Sequence, residues 1–132
     1  MAQLQCIVVT PEETALDEQV DFVALPLYDG EIGIGPGRAA MIGRMGYGEL
    51  RLTTGGTTRR FYVDGGFVQV ASNVVSVLTN RAVPASDVDA AVAAEHLSEA
   101  RKRTANTEEL FALRERMEQQ ARAQMRVASR AK

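Results

Sequence analysis

The chain has 132 residues, a net charge of −2, and hydrophobic and charged shares of 45% and 24%. A disordered chain would be poorer in apolar residues, and no apolar run approaches the roughly 20 residues of a membrane-spanning helix, so a globular protein without direct membrane insertion is expected. One cysteine, Cys6, and one histidine, His96, allow no intrachain disulfide and offer little material for a metal centre.

The first nine residues carry no basic stretch and run soon into Thr10, Pro11, Glu12 and Glu13, which does not fit a signal peptide. From Gln3 to Thr79, short runs rich in Val, Ile, Leu, Phe and Tyr alternate with clusters of Gly, Pro, Asp and Asn, the pattern of a β domain. They predict strands over Gln3–Val9, Thr14–Leu16, Val20–Leu27, Ile32–Ile34, Gly48–Thr53, Thr58–Val63, Phe67–Val70 and Val74–Thr79. In the first of these, Leu4, Cys6 and Val8 share one face, which makes Cys6 a buried strand residue rather than a reactive thiol. Thr54-Gly55-Gly56-Thr57 reads as a tight hairpin, because consecutive glycines accept positive φ, and Ala71-Ser72-Asn73 reads as a second. Gly65-Gly66 before Phe67 reads as a bulge or a close backbone approach within a strand. Short strands at this spacing predict a sandwich or barrel of antiparallel strands.

After Arg81 the period changes. Ser86 is predicted to cap a helix with Asp89 at its third position, and Ala, Glu, Leu, Lys and Arg dominate from there to Arg103. Thr104-Ala105-Asn106-Thr107 is a turn, and Asn106 or Thr107 caps a second helix with Glu108 and Glu109 near its positive end. The first helix offers a face of small residues, Val88, Ala91, Val92 and Ala100, while Leu110, Leu113, Met117, Ala121, Met125 and Ala128 share a face of the second. Such small residues bury little area each, so the hairpin is expected to be marginal alone. The fold class is β plus α: an N-terminal antiparallel β-sandwich, residues 1–84, followed by a C-terminal two-helix hairpin, residues 85–132.

The tail is cationic. Arg114, Arg116, Arg122, Arg126, Arg130 and Lys132 face only Glu115 and Glu118, and Arg122, Arg126 and Arg130 recur every fourth residue beside the Met117, Ala121 and Met125 seam. A nucleic-acid binder would combine such charge with aromatic platforms, and no aromatic follows Phe111, so no nucleic-acid partner is expected.

Catalytic constellations are absent from the residue pattern. His96 sits in a predicted helix without HExxH or Cys/His spacing and reads as a partly exposed helix residue. Gly30, Gly33, Gly35 and Gly37 lack the Lys-Ser/Thr and the long helix that follow a phosphate cradle. Asp29 and Glu31 flank a glycine as acids of a solvated turn commonly do. No catalytic residue, metal or cofactor is expected, and the chain is not expected to be an enzyme in its own right.

The run Val8-Val9-Thr10-Pro11-Glu12, then Phe22-Val23, Pro26, Asp29-Gly30-Glu31-Ile32-Gly33-Ile34 and Pro36-Gly37, resembles the opening of epsilon subunits of F-type ATP synthases. Gly65-Gly66-Phe67 with Val70, Asn73-Val74-Val75-Ser76-Val77-Leu78 and the Arg81-Ala82 pair resemble the second half of the same domain. The ordered matches and the helical hairpin cover essentially the whole chain, and the mitochondrial delta subunit is a similar relative. The resemblance implies a ten-stranded sandwich with a two-helix C-terminal domain and a role in the rotor. The sandwich would bind the gamma subunit and the membrane c-ring, coupling ion flow to ATP synthesis, while the helices extend along the stalk to the catalytic beta subunits and inhibit ATP hydrolysis. Asp29, Gly30 and Glu31 would face the c-ring loops, and Arg38 would lie in a gamma-facing turn. The resemblance implies a peripheral protein at the cytoplasmic face of a bacterial inner membrane, or the stromal face of the thylakoid for a plastid-borne gene.

Three departures from the family pattern bear on these expectations. Arg38-Ala39-Ala40 stands where relatives have His-Ala-Pro after Pro-Gly, and Ile34-Gly35-Pro36 replaces a Leu-Pro pair. Some bacterial relatives bind ATP through a segment resembling Ile-Asp-x-x-Arg-Ala, and here the stretch is Val88-Asp89-Ala90-Ala91-Val92-Ala93. Valine replaces neither the fork of donors nor the permanent charge of that arginine, so Asp89 marks a degenerate nucleotide motif and no useful ATP binding is expected. Arg122, Arg126 and Arg130 read as an inhibitory stripe meeting acidic segments of beta, with a merely solvated cationic face as the alternative. The rival for the whole chain is a stand-alone binding module whose sandwich holds a ligand or protein and whose helices dimerise.

Overall fold

Inward-facing apolar residues on alternate positions start the sandwich. In β1 (Leu4–Val9) Leu4, Cys6 and Val8 are buried, and burial pushes the Cys6 thiol up to about 12. The structure is a computed structural model that describes residues 3–130. β2 (Thr14–Val20), β3 (Phe22–Leu27), β4 (Gly30–Ile34), β5 (Met41–Thr54), β6 (Thr57–Ala71), β7 (Val74–Leu78) and β8 (Ala82–Pro84) follow, then a single 3-10 turn at Ala85–Asp87, α1 (Ala90–Lys102) and α2 (Glu108–Arg130). The strands form one hydrogen-bonded sheet in the order β2-β1-β7-β6-β5-β3-β4, with β8 on β6, folded over to enclose a core that includes Val23, Leu25, Leu50, Val68 and Val75.

The fold-over lies in the two longest strands. β5 and β6 pair without a register shift from Met41↔Val70 to Thr54↔Thr57, while β3 pairs with β5 from Phe22↔Thr53 to Ala24↔Arg51 and, past a register shift, at Leu27↔Met45, and β7 with the later part of β6. β8 takes the earlier part of β6, from Phe61↔Pro84 to Val63↔Ala82. Small residues make the crossing possible. A Cβ at Gly46 would lie 3.2 Å from the Leu27 carbonyl oxygen, and one at Gly48 would lie 3.1 Å from Pro26 Cβ. At Gly66, with φ of +108°, a Cβ would collide with the Leu78 carbonyl.

This geometry corrects several predicted boundaries. Thr58–Val63 and Phe67–Val70 are one strand, so Gly65-Gly66 is the close backbone approach and not a bulge. The segment predicted as Gly48–Thr53 begins at Met41, with Gly43 and Gly46 inside the strand where Leu27 passes close by. The segment predicted as Thr14–Leu16 continues through polar Asp17, Glu18 and Gln19 to Val20, since an edge strand paired only with β1 tolerates polar residues. The chain breaks at Asp21, whose carboxylate accepts a 2.8 Å hydrogen bond from Gly55 N–H in the β5–β6 turn, which lowers its pKa. Both glycines of that turn have positive φ, as do Ser72 and Asn73 in the β6–β7 turn. The sheet has eight strands among the described residues rather than ten, and β1 pairs with β7 in parallel although the sandwich is otherwise antiparallel.

The helical half departs from the predicted cap. Ser86 lies in the 3-10 turn, and Asp89 is itself the N-cap of α1, its Oδ1 accepting from Ala91 N–H at 2.9 Å and Val92 N–H at 3.3 Å. Thr107 caps α2 through Leu110 N–H at 3.1 Å. α1 buries Ala93 and Ala100, whereas Val92 is 43% exposed, because the helix turns toward α2 and not toward the sandwich. On α2, Ala121 and Ala128 are buried as predicted, but Ala123 and Val127 form a second buried face that packs with Tyr62 and Ala85 on the sandwich. α2 is therefore the middle layer, with α1 on one side and the β5–β6 surface on the other.

Replacing Gly66 by alanine is expected to destabilise the chain by about 3 kcal/mol, through the backbone collision and the positive φ together. Chemical denaturation should show this loss, whereas Gly37→Ala, where no atom lies within 4 Å of an added Cβ, should cost much less.

Candidate functional site

The residues singled out in the sequence occupy three separate places. Asp29 is in the two-residue turn of the β3–β4 hairpin, where Leu27 pairs with Gly30, and Asp29, Gly30 and Glu31 are all exposed. Glu31 is not a free acid: Arg51 on β5 grips both its oxygens, Nη2 to Oε1 at 2.5 Å and Nη1 to Oε2 at 3.0 Å, and this hydrogen bonding lowers its pKa. Tyr28 extends beside Asp29 with 71% of its surface exposed, and the Arg44 guanidinium lies 4.8 Å from its ring centroid. The tip thus presents an acid, an aromatic ring and a cation.

Arg38 lies beyond the other end of β4, in the loop that carries the chain from β4 to β5. Its Nη1 reaches the Gly33 carbonyl at 3.5 Å, and the loop is tied down where Gly37 N–H donates to Asn73 Oδ1 at 2.7 Å. The left-handed Gly37 and the Asn73 side chain fix the turn while the Arg38 side chain stays exposed.

Asp89 borders a hollow of 180 Å³ that also touches Asp87, Val92, His96, Arg81 and Gln124. That volume falls below the roughly 300 Å³ of the smaller ligand pockets. The Asp89 carboxylate is spent on the helix cap, and Asp87 adds a second acid that would repel a polyphosphate. His96 is exposed on α1.

The three helix arginines have different surroundings. Arg122 and Arg126 look into a cleft of 1540 Å³ between α2 and the end of the sandwich, walled on the far side by Arg44, Phe67 and Leu78. Arg122 also lies 3.7 Å from Glu118 one turn earlier. Arg130 turns the other way and reaches Glu49 on β5 at 3.8 Å. Lys132, counted in the cationic tail, lies outside the described residues.

Sequence reasoning missed the surface beneath α2. The outward residues of β5 and β6 form a polar ladder in which Tyr47 faces Asp64, Glu49 faces Tyr62 and Arg51 faces Arg60. Asp64 Oδ1 accepts from Tyr62 O–H at 3.0 Å and from Gln120 Nε2 of α2 at 2.9 Å. Burial, then the Asp64 charge, push the Tyr62 hydroxyl upward. Glu49 is 5% exposed, and its Oε1 meets Arg60 at 2.8 Å and Arg51 at 3.2 Å, while no donor among the described residues reaches Oε2. The polar alternation was legible in Tyr47, Glu49 and Arg51, but it reads as a solvated face until a helix is laid on it.

Residues 3–85 match the family model described as ATP synthase, Delta/Epsilon chain, beta-sandwich domain. The ATP synthase epsilon chain of Rhodopirellula baltica is 48% identical over 125 residues, covering 95% of this chain and 98% of the relative. The ATP synthase epsilon chain of Carboxydothermus hydrogenoformans is 43% identical over 74% of this chain and 73% of the relative. Among solved structures, a chain of the Euglena gracilis mitochondrial ATP synthase OSCP/F1/c-ring assembly superposes with a TM-score of 0.84 at 25% identity, over 93% of this chain and 79% of that one. A chain of the Tetrahymena thermophila mitochondrial ATP synthase central stalk/c-ring shares the fold, with a TM-score of 0.76 at 13% identity over 95% of this chain and 96% of that one.

Asp89→Ala is expected to lower the stability of the helical hairpin by about 1 kcal/mol through loss of the cap. Calorimetry with millimolar ATP should give no binding isotherm for either the parent or the variant. An isotherm for the parent that vanishes in the variant would show that Asp89 serves a nucleotide.

Proposed function

The chain belongs to the ATP synthase delta/epsilon chain family, and we infer from this that it is the epsilon-type subunit of the central stalk of an F-type ATP synthase. It is a non-catalytic part of the complex, with the gamma subunit and the c-ring as its partners. The observation that carries this reading is the extent of the likeness to epsilon chains, which runs through sandwich and hairpin alike. Its role is mechanical: it joins gamma to the c-ring so that the stalk turns as one body and ion flow drives ATP synthesis. The complex is membrane-bound and this subunit is peripheral to it. No helix among the described residues is long and apolar enough to cross a membrane. We place it on the cytoplasmic face of a bacterial inner membrane.

Within that role we assign residues 1–84 to assembly and residues 85–132 to regulation. Asp29, with Tyr28 and Arg44 beside it, is the part of the β3–β4 tip free to meet the polar loops of the c-ring, while Glu31 holds the tip to β5 through Arg51. Complementary charge at such a tip sets register and specificity more than affinity. Arg38 belongs to the turn facing gamma, where a fixed backbone presents an exposed guanidinium. Arg122 and Arg126, both exposed, act as the brake: when the hairpin swings away from the sandwich they meet acidic segments of the catalytic beta subunits. Each such pair contributes at most about 1 kcal/mol and weakens with salt, so the effect needs more than one arginine.

Two measurements test these assignments. The chain cut after the sandwich should copurify with gamma and support ATP-driven ion pumping in reconstituted vesicles, and failure of coupling on removal of the hairpin alone would overturn the division of labour. Replacing Arg122 and Arg126 by alanine should raise the ATPase rate of the assembled complex at low salt without changing its subunit composition. An unchanged rate, in a complex that deletion of the hairpin does activate, would reduce both residues to a solvated face.

A further inference from the structure

We propose that the ion pair between Glu49 and Arg130 is the catch that holds the helical hairpin on the sandwich, and that the unpaired oxygen of the buried carboxylate keeps this catch weak. Arg51 and Arg60 stand directly opposite each other across β5 and β6, an unfavourable pair of like charges. Glu49 Oε1 accepts from both guanidiniums, and Glu31 holds Arg51 from the other side. The charged groups of this face are therefore satisfied from within the sheet.

Docking of α2 changes the balance at Glu49 in two opposing ways. The carboxylate gains Arg130, but at 3.8 Å and with that side chain 59% exposed, so the attraction is screened. In return it is enclosed, with Oε2 unserved by any donor among the described residues, whereas an uncovered Glu49 would regain water there. The other contacts are Gln120 to Asp64, nearly three helical turns earlier, and the small side chains Ala123 and Val127 in a cluster with Tyr62, Ala85, Tyr47 and Val88. Charged groups already satisfied within the sheet, a buried acceptor left unpaired when covered, and one screened ion pair between them leave a small apolar cluster as the main support, a docking contact poised near balance. Loss of Arg130 tips it toward release.

This assigns Arg130 the opposite sign from its neighbours on the stripe. Arg122 and Arg126 point into the cleft and leave the catch untouched, so their removal weakens the brake, whereas removal of Arg130 frees the hairpin to apply it. That consequence for ATPase rests on the brake reading above; the catch itself does not.

The test uses the full-length chain with spin labels on Thr57→Cys and Ser129→Cys, both at exposed positions, while burial keeps the Cys6 thiol from reacting. The distance distribution reports the docked fraction directly. Arg130→Gln should raise the undocked-to-docked ratio about fivefold at low salt, and high salt should bring the parent to the same ratio. Arg130→Lys, which keeps the charge, should restore docking at low salt, and in a Glu49→Gln background Arg130→Gln should add nothing. An unchanged distribution in Arg130→Gln, or an Arg130→Lys variant as undocked as the glutamine, would overturn the catch. If Arg130→Gln undocks the hairpin but leaves the ATPase rate of the assembled complex unchanged, the catch stands and the brake reading falls.

Discussion

The β5–β6 pair passes through the fold-over without losing register, and every other element takes its place from it. Its inner side supplies Leu50, Leu52, Val63, Val68 and Val70 to the core. Its earlier and later halves recruit β8 and β7 on one strand, and β3 on the other. The crossing depends on Gly66, where a Cβ would collide with the Leu78 carbonyl, and is eased at Gly46 and Gly48, where a Cβ would press on Leu27 and Pro26. A chain with alanine at Gly66 would keep the same apolar alternation and force the backbone apart at the crossing.

The outer side of the same pair is where the hairpin is attached. Most surfaces covered by a helix are apolar, and uncovering them costs hydrophobic stabilisation in proportion to area. Here α2 covers tyrosines, carboxylates and guanidiniums that largely satisfy one another. The charged groups of this face therefore do not depend on the hairpin, whose own packing relies on alanines. A buried carboxylate with an unserved oxygen would be a defect in a permanent interface, since unpaired buried acceptors destabilise. At a reversible contact it limits the strength of attachment.

The two features proposed to face the rotor sit at places the sandwich braces. The β3–β4 tip is braced by the bidentate Arg51–Glu31 pair, and the Arg38 loop by the Asn73 side chain. Both bracing partners are distant in sequence from the residues they fix. A mechanical coupling subunit has reason to stiffen its contact points, because compliance at the tip would be lost motion between ring and stalk.

The sequence by itself determined the division into a β half and a helical hairpin, the inward set Leu4, Cys6 and Val8, the two tight turns and the family, because alternation, helical period and turn chemistry are local. It also marked Asp29, Arg38, Asp89 and the arginines as positions of interest. The strand ends, the role of Gly65-Gly66 and the capping role of Asp89 were decided only in three dimensions, since a glycine reads the same whether it breaks a strand or lets another pass. The separation of Arg130 from Arg122 and Arg126, and the burial of Glu49 beneath it, depend on which side of α2 meets the sheet. That is a property of packing between elements dozens of residues apart, and no local pattern in either element carries it.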